Sequence, residues 1–127
     1  FWQGFNNNFK NWRGKIMSIR ITYINYTNKA LESMIKNKED RSVAVKKAIE
    51  SAGGKFLGFY GLIGQEFEVM VISKFDSLTD YMSVIMSAMI NKGVTDIKTV
   101  HCYTGEDVSI GAAKALSGEI DYQPADK

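Results

Sequence analysis

Cysteine, histidine and proline each occur only once in the 127 residues of this chain. The single cysteine, Cys102, cannot form an internal disulfide, which excludes a small disulfide-stabilised secreted scaffold. With one histidine, His101, the chain also has too few thiolate and imidazole ligands for a typical zinc or haem site. We therefore expect no metal and no cofactor.

The chain also lacks a strong excess of one charge and any long hydrophobic run. Sixteen basic and 14 acidic residues give a net charge of +2, which is too small to predict a nucleic-acid or membrane-surface partner. No stretch reaches the ~18 apolar residues of a membrane-spanning helix. A composition of 45% hydrophobic and 24% charged residues is that of one ordinary globular domain, for which we expect a cytoplasmic location.

The charge is unevenly spread, because residues 1–16 hold three basic side chains, no acidic one and both tryptophans. This leader lacks the apolar run of a secretory signal. Two interpretations remain open: an aromatic arm that packs on a neighbouring subunit, or a segment that is not native to the protein. We expect the folded domain at residues 17–117 and a flexible tail at 118–127.

Apolar periodicity predicts the elements of the domain. Alternation and β-branched residues predict four strands, at residues 18–26, 55–63, 66–74 and 95–103. Between the first two strands, helical spacing predicts one broken helix or two short ones, ended by Gly53 and Gly54. A continuous apolar stripe from Leu78 to Ile90 predicts the next helix, and the capping-box spacing of Thr104 and Asp107 predicts a C-terminal one.

The resulting order, β-α-β-β-α-β with an extra C-terminal helix, is the ferredoxin-like α+β pattern. It has a four-stranded antiparallel sheet with helices on one face, so the other face stays open. Exposed apolar sheet surface is costly in water, and a second subunit is the usual cover. We therefore predict a homodimer or higher homo-oligomer that associates through the open sheet face.

His101 is the first candidate for chemistry, because only histidine has an unperturbed pKa near neutrality. Strand parity places it on one face with Tyr103, and the ferredoxin-like strand order adds Tyr23 from the first strand. These three side chains are predicted to line one pocket between sheet and helices, with His101 as a catalytic acid or base. A histidine that is simply hydrogen-bonded to a tyrosine is the alternative.

Two further side chains are candidate ligand contacts. Arg41 begins a predicted helical segment and could bind a carboxylate or phosphate through two hydrogen bonds, or pair with a neighbouring acid. Tyr60 lies between two glycines of the second strand and could form a pocket wall or pack as a core residue. Glu66 and Glu68 have strand spacing, which suits a hard cation or acid-base chemistry, although solvation near a turn is the more common reason for such a pair.

Several of these residues carry a resemblance to a known family. A strand that ends at Tyr26, then Arg41, the Gly53-Gly54 pair and a glycine turn before Phe67 and Glu68 resemble the GYD-domain family. In its name-giving Gly-x-Tyr-Asp-like turn, this chain has Phe67 for the tyrosine and Glu68 for the aspartate. The resemblance covers residues 19–117 and implies the ferredoxin-like fold of the dimeric α/β-barrel group.

Three functions are compatible with this sequence. The first is a homo-oligomeric domain that binds a small molecule. The second is a cofactor-independent enzyme, similar to the monooxygenases and isomerases of the dimeric α/β-barrel group, which would use His101 with Tyr23 or Arg41. The third is a regulatory or structural subunit whose partner covers the sheet.

Overall fold

The computed structural model describes residues 18–125 as a four-stranded sheet with four helices. The strands are β1 (Ser18–Tyr26), β2 (Lys55–Gly61), β3 (Val69–Phe75) and β4 (Val94–Cys102). Their order is β2-β3-β1-β4, and every neighbouring pair is antiparallel. The helices are α1 (Asn28–Lys36), α2 (Arg41–Ser51), α3 (Leu78–Ile90) and α4 (Gly105–Leu116). This arrangement confirms the ferredoxin-like α+β prediction, including the extra C-terminal helix.

The helix starts follow from local side-chain chemistry. Thr27, Asp40, Ser77 and Thr104 each occupy an N-cap and accept a hydrogen bond from a backbone N–H of the first turn. These caps satisfy donors that the helix itself leaves without partners. The helical region after β1 forms two helices, since Lys38 adopts a positive φ of 51° between them. The interpretation of two short helices is therefore confirmed.

The loop before β3 is longer than the sequence predicted. The backbone N–H of Glu68 donates to the carbonyl oxygen of Ile24 at 3.2 Å and to Asn25 Oδ1 at 2.9 Å. Asn25 also donates to the carbonyl oxygen of Glu66 at 3.1 Å. Because this segment is fixed to β1 by these contacts, β3 begins at Val69, and the predicted strand start at Glu66 is wrong.

The core lies between the sheet and helices α2 and α3. Phe75 and Ile49 are 1% and 3% exposed, and the ring of Phe75 meets that of Tyr81 edge to face at 5.5 Å. By contrast, every residue of α4 is exposed, and residues 118–125 form neither helix nor strand. The predicted leader at residues 1–16 lies outside the described residues.

The helices cover the face of β1 that carries its even-numbered residues. Arg20, Thr22, Ile24 and Tyr26 are buried there, and the odd-numbered residues point to the open face. Sequence reasoning assigned the odd face to the interior because it is the more apolar one. The structure reverses this, since the polar side chains of the even face find buried hydrogen-bond partners.

The predicted pocket of Tyr23, His101 and Tyr103 is therefore wrong. Tyr23 is paired with Lys98, whereas His101 is paired with Arg20 on the opposite face of the sheet. Tyr103 follows the end of β4 and is 78% exposed.

Within residues 18–125, none of the helices combines the length and the hydrophobicity that crossing a bilayer requires.

Gly54 offers a test of the core packing. A Cβ at this position would lie 2.6 Å from two ring carbons of Phe75, and a side chain that is 1% exposed has no room to move. We expect Gly54→Ala to lower the free energy of unfolding by about 1–3 kcal/mol, measured by urea denaturation. Gly61→Ala is the control, since nothing lies within 4 Å of its added Cβ. Equal stability of the two variants would contradict the packing described here.

Candidate functional site

A cleft of about 170 Å³ lies between α2, α3 and the sheet, and we call it the helix–sheet cleft. Its walls are mainly aliphatic, and small side chains on the two helices, Ala44, Ala48 and Ala88, leave the space between them. Polar groups lie among the lining residues from both the helices and the sheet: Thr22, Tyr26, Arg41, Ser73, Tyr81, Ser87 and Asn91. The cleft thus combines apolar walls with a few polar groups, the usual make-up of a small-molecule site.

Arg41 is the cationic residue of the cleft. It is the first residue of α2, and its Nη1 donates to Glu39 Oε2 at 2.9 Å. Its Nε is buried and has no hydrogen-bond partner among the described residues. A buried donor without an acceptor costs about 1–3 kcal/mol.

Tyr26 lies beside Arg41. It is 8% exposed, and its backbone N–H donates to Glu68 Oε1 at 2.7 Å. Burial raises the pKa of the Tyr26 phenol; the Arg41 guanidinium opposes this, and the carboxylates of Glu39 and Glu68 reinforce it. The hydrogen bond to Glu39 likewise raises the pKa of Arg41. At neutral pH the cleft therefore presents a neutral phenol and a paired guanidinium.

The second polar group of the cleft is built around Tyr81. The Tyr81 hydroxyl lies 2.7 Å from Thr22 Oγ1 and 2.6 Å from Thr99 Oγ1. Because Thr22 is 4% exposed, its hydroxyl depends on Tyr81 for a partner, whereas the Tyr81 hydroxyl has a second partner in Thr99. The guanidinium of Arg20 lies 4.9 Å from the centre of the Tyr81 ring and donates to the carbonyl oxygen of Phe75 at 3.3 Å.

His101 lies in a different place, a groove along the outer side of α3. The groove is lined by methionine and aliphatic side chains of α3, together with Tyr81, Thr99 and His101. Tyr81 thus lines both the groove and the cleft. His101 itself is exposed, and the other residues of its groove include no acid that could orient the imidazole.

The open sheet face carries two of the predicted ligand contacts. Tyr23 and Tyr60 both flank Met70 in the strand register. The ring of Tyr23 lies 5.7 Å from that of Phe67. The ring of Tyr60, which is 54% exposed, lies over Gly58, where an added Cβ would approach it to 2.8 Å. These tyrosines are separated from the helix–sheet cleft by the sheet itself.

The five residues singled out from the sequence therefore do not form one site. Arg41 lines the cleft, His101 lines the α3 groove, and Tyr23 and Tyr60 lie on the open face. Tyr103 is exposed beyond β4. A ligand role for each of them stays a prediction.

Sequence reasoning missed Thr22, Ser73 and Tyr81 as polar residues of the cleft. Tyr81 was assigned to an apolar helical stripe, and nothing in the neighbouring sequence indicates that its hydroxyl is buried and hydrogen-bonded to the sheet. Thr22 alternates with apolar residues in β1, as does Arg20, and Ser73 lies next to Lys74 in β3, so neither residue is marked by the sequence as buried. Their partners lie far away in the chain, as the separation of 59 residues between Thr22 and Tyr81 illustrates.

Across residues 18–125, no three side chains of the His, Cys, Asp and Glu types gather closely enough to hold a metal ion. Glu68, one of the two candidate cation ligands, instead accepts the hydrogen bond from Tyr26.

The sequence model of the GYD domain matches residues 21–110, which is more than half of the chain. The chain belongs to the GYD domain family. In this GYD domain, Glu68 fixes the loop before β3 to the end of β1. The neighbouring Phe67 packs against Tyr23 on the open face. Both residues thus have structural contacts.

No curated protein and no solved structure matches this GYD domain at a significant level.

The Tyr81 hydroxyl allows a direct test of the buried hydrogen bonds. We expect Tyr81→Phe to lower the free energy of unfolding by about 1–3 kcal/mol, because the buried Thr22 hydroxyl loses its partner. Chemical denaturation measures the loss. Tyr103→Phe removes the same atom from a residue that is 78% exposed, and it should change stability by less than about 0.5 kcal/mol. A Tyr81→Phe protein as stable as this control would show that the hydroxyl contacts contribute nothing.

Proposed function

We propose that this GYD domain binds one small organic molecule in the helix–sheet cleft and does so as a homo-oligomer. The mixed lining of the cleft carries the proposal: aliphatic walls surround a few polar residues, among them Arg41 and the hydroxyl pair of Tyr81 and Thr22. His101 lies in the separate α3 groove, so we assign it no role in this binding.

The volume of the cleft limits the size of the ligand. An engineered apolar cavity of about 150 Å³ stays dry and binds benzene. At about 170 Å³, the cleft accommodates one six-membered ring with one or two further atoms. A nucleotide or an extended acyl chain is too large.

Toluene is a suitable probe for the cleft, since it matches the size and needs no polar contact. We expect toluene to shift the amide NMR signals of cleft residues such as Ala44 and Ala88. Ala88→Leu fills the cleft and should weaken toluene binding at least tenfold, which corresponds to about 1.4 kcal/mol.

Ala113→Leu is the matched control, because it makes the same change on the exposed helix α4. It should leave toluene affinity unchanged. Wild-type protein that shows no toluene-dependent shifts, or an Ala88→Leu variant that binds as well as wild type, would overturn the binding proposal.

The oligomer part of the proposal is supported by the chemistry of the open sheet face. Ile21 lies at its centre on β1, paired with Ile72 on β3 and Val100 on β4. Ile19 and Met70 extend this apolar surface, and all five side chains are only partly buried within one chain. We take the cover to be a second copy, because a twofold axis lets one apolar face bury itself against its equivalent.

Ile21→Lys tests this association, because it places a charge at the centre of the face. We expect wild-type protein to have at least twice the chain mass of 14.2 kDa in analytical ultracentrifugation, and Ile21→Lys to shift it towards the monomer. Ile35→Lys is the control on α1, where the side chain is already 76% exposed. A monomeric wild-type protein at micromolar concentration would refute the oligomer proposal.

A further inference from the structure

We propose that α4 of one copy packs into the α3 groove of a second copy, so that two copies exchange their C-terminal helices. The groove lies on the side of the sheet that the helices cover, because His101, which lines it, is paired with Arg20 on that side. The association proposed above uses the open face instead. The exchange is therefore a separate contact that goes beyond the proposed function.

The α3 groove is an apolar surface that nothing covers among residues 18–125. Leu78, Met82, Ile85, Met86 and Met89 line it, and their spacing of i, i+4, i+7, i+8 and i+11 places them on one side of α3. Leu78 is 54% exposed, Met86 is 51% exposed and Met89 is 61% exposed. Such a row of apolar side chains is the usual seat of an amphipathic helix, and methionine adapts well to such a contact.

The helix α4 has no such contact within its own chain. Its capping box is complete, since Thr104 Oγ1 accepts from the backbone N–H of Asp107 and Asp107 accepts from that of Thr104. All of its 12 residues are nevertheless exposed. An isolated helix of this length is at best marginally stable in water, because most helices are stabilised by packing of one apolar face. The helix therefore needs a surface to cover that face.

The apolar side of α4 matches the groove. Val108, Ala112, Ala115 and Leu116 follow the same spacing of i, i+4, i+7 and i+8, and we call them the α4 stripe. Val108 and Leu116 are 54% and 87% exposed, whereas Ile110 on the opposite side is 37% exposed. The stripe is thus directed away from its own chain. At 12 and 13 residues, α4 and α3 also have nearly equal lengths of about 18–20 Å.

The strand directions limit how α4 can reach the groove of its own chain. Because β3 and β4 both pair antiparallel with β1, through Ser18 with Phe75 and Ile19 with Cys102, they end at the same end of the sheet. The helices that follow them, α3 and α4, begin at that end. Two residues link β4 to α4 and span about 10 Å when extended, which is too short to carry the start of α4 to the far end of α3. Within one chain, α4 would therefore lie parallel to α3.

The charges at the helix ends favour the antiparallel direction. The exposed Asp76 precedes α3 and the exposed Lys92 follows it, whereas α4 has Glu106 and Asp107 in its first turn and Lys114 in its last. Antiparallel packing brings opposite charges together at both ends, and parallel packing brings like charges together. Antiparallel helix dipoles add to this preference. A second copy is free to dock in this direction, so we take it as the occupant of the groove.

Cross-linking between two differently labelled copies of the full chain tests the exchange. One copy carries Met86→Cys in the middle of the groove, the isotope-labelled copy carries Ala112→Cys in the middle of the α4 stripe, and both carry Cys102→Ser. After the copies are unfolded and refolded together, we expect a short bismaleimide to join them into a mixed dimer, identified by its mass. Ala113→Cys is the matched control, because it lies about 100° further round the helix, and it should give at least tenfold less mixed dimer.

A chain that carries both Met86→Cys and Ala112→Cys distinguishes the exchange from closure of α4 over its own groove. Exchange joins two such chains, whereas closure links the two positions within one chain. If the cross-link forms only within one chain, or if no cross-link forms, the inference is wrong.

Leu116→Lys gives a second measurement that needs no cysteine. Because Leu116 is 87% exposed within its own chain, the substitution removes no packing from the single domain. We expect the amide hydrogens of α4 to exchange at least tenfold faster in this variant than in the wild type. Ala113→Lys adds the same charge away from the stripe and should leave the exchange rates unchanged. Equal rates in Leu116→Lys and wild type would contradict the helix exchange.

Ile21→Lys separates this contact from the association through the open face. Because Ile21 lies on the open face, the yield of the mixed dimer should be unchanged when both copies also carry Ile21→Lys. Loss of the cross-link in that background would overturn the inference. A persistent cross-link, together with an assembly mass that Ile21→Lys does not lower, would refute the open-face contact and leave the helix exchange standing.

Discussion

The hydroxyl of Tyr81 is the contact on which the position of α3 depends. It lies within 2.7 Å of Thr22 on β1 and within 2.6 Å of Thr99 on β4. A buried hydroxyl that is left without a hydrogen-bond partner costs about 1–3 kcal/mol. The two contacts of Tyr81 therefore oppose both a shift and a rotation of α3 over the sheet. One side of α3 is thereby directed to the cleft, and its methionine side forms the wall of the outer groove.

The cleft follows from that placement. With α3 held by Tyr81 and α2 started by the Asp40 cap, small residues, Ala44 and Ala88, lie where the two helices face each other. The space that they leave has polar atoms from Arg41 and Tyr81 and aliphatic walls elsewhere. In a pocket of this kind, the fit of the ligand to the apolar walls contributes most of the selectivity, and the few polar groups fix its orientation. These features support the proposed binding of a small, largely apolar molecule.

The sequence predicted the elements well and the site poorly, for one physical reason. Helix caps such as Ser77 and Thr104 depend on residues three positions away, so they can be found by inspection. The partners of Thr22 and Arg20 are distant in the chain. Without those partners, the polar face of β1 looks like a solvent face, and parity arguments place Tyr23 on the wrong side. Arg41 was predicted as a ligand contact partly because the family resemblance includes it. The cleft that it lines was not predicted, because its walls come from elements far apart in the chain.

By itself, the sequence determined the order of strands and helices, the positions of most of their ends and the membership of the GYD family. These properties depend on local periodicity and on residues close together in the chain. Only the tertiary structure decided which face of the sheet the helices cover and that Arg41 and Tyr81 border the same cleft while His101 lies outside it. The physical reason is that a polar side chain can be buried only where a partner meets it, and the partner comes from the folded chain as a whole.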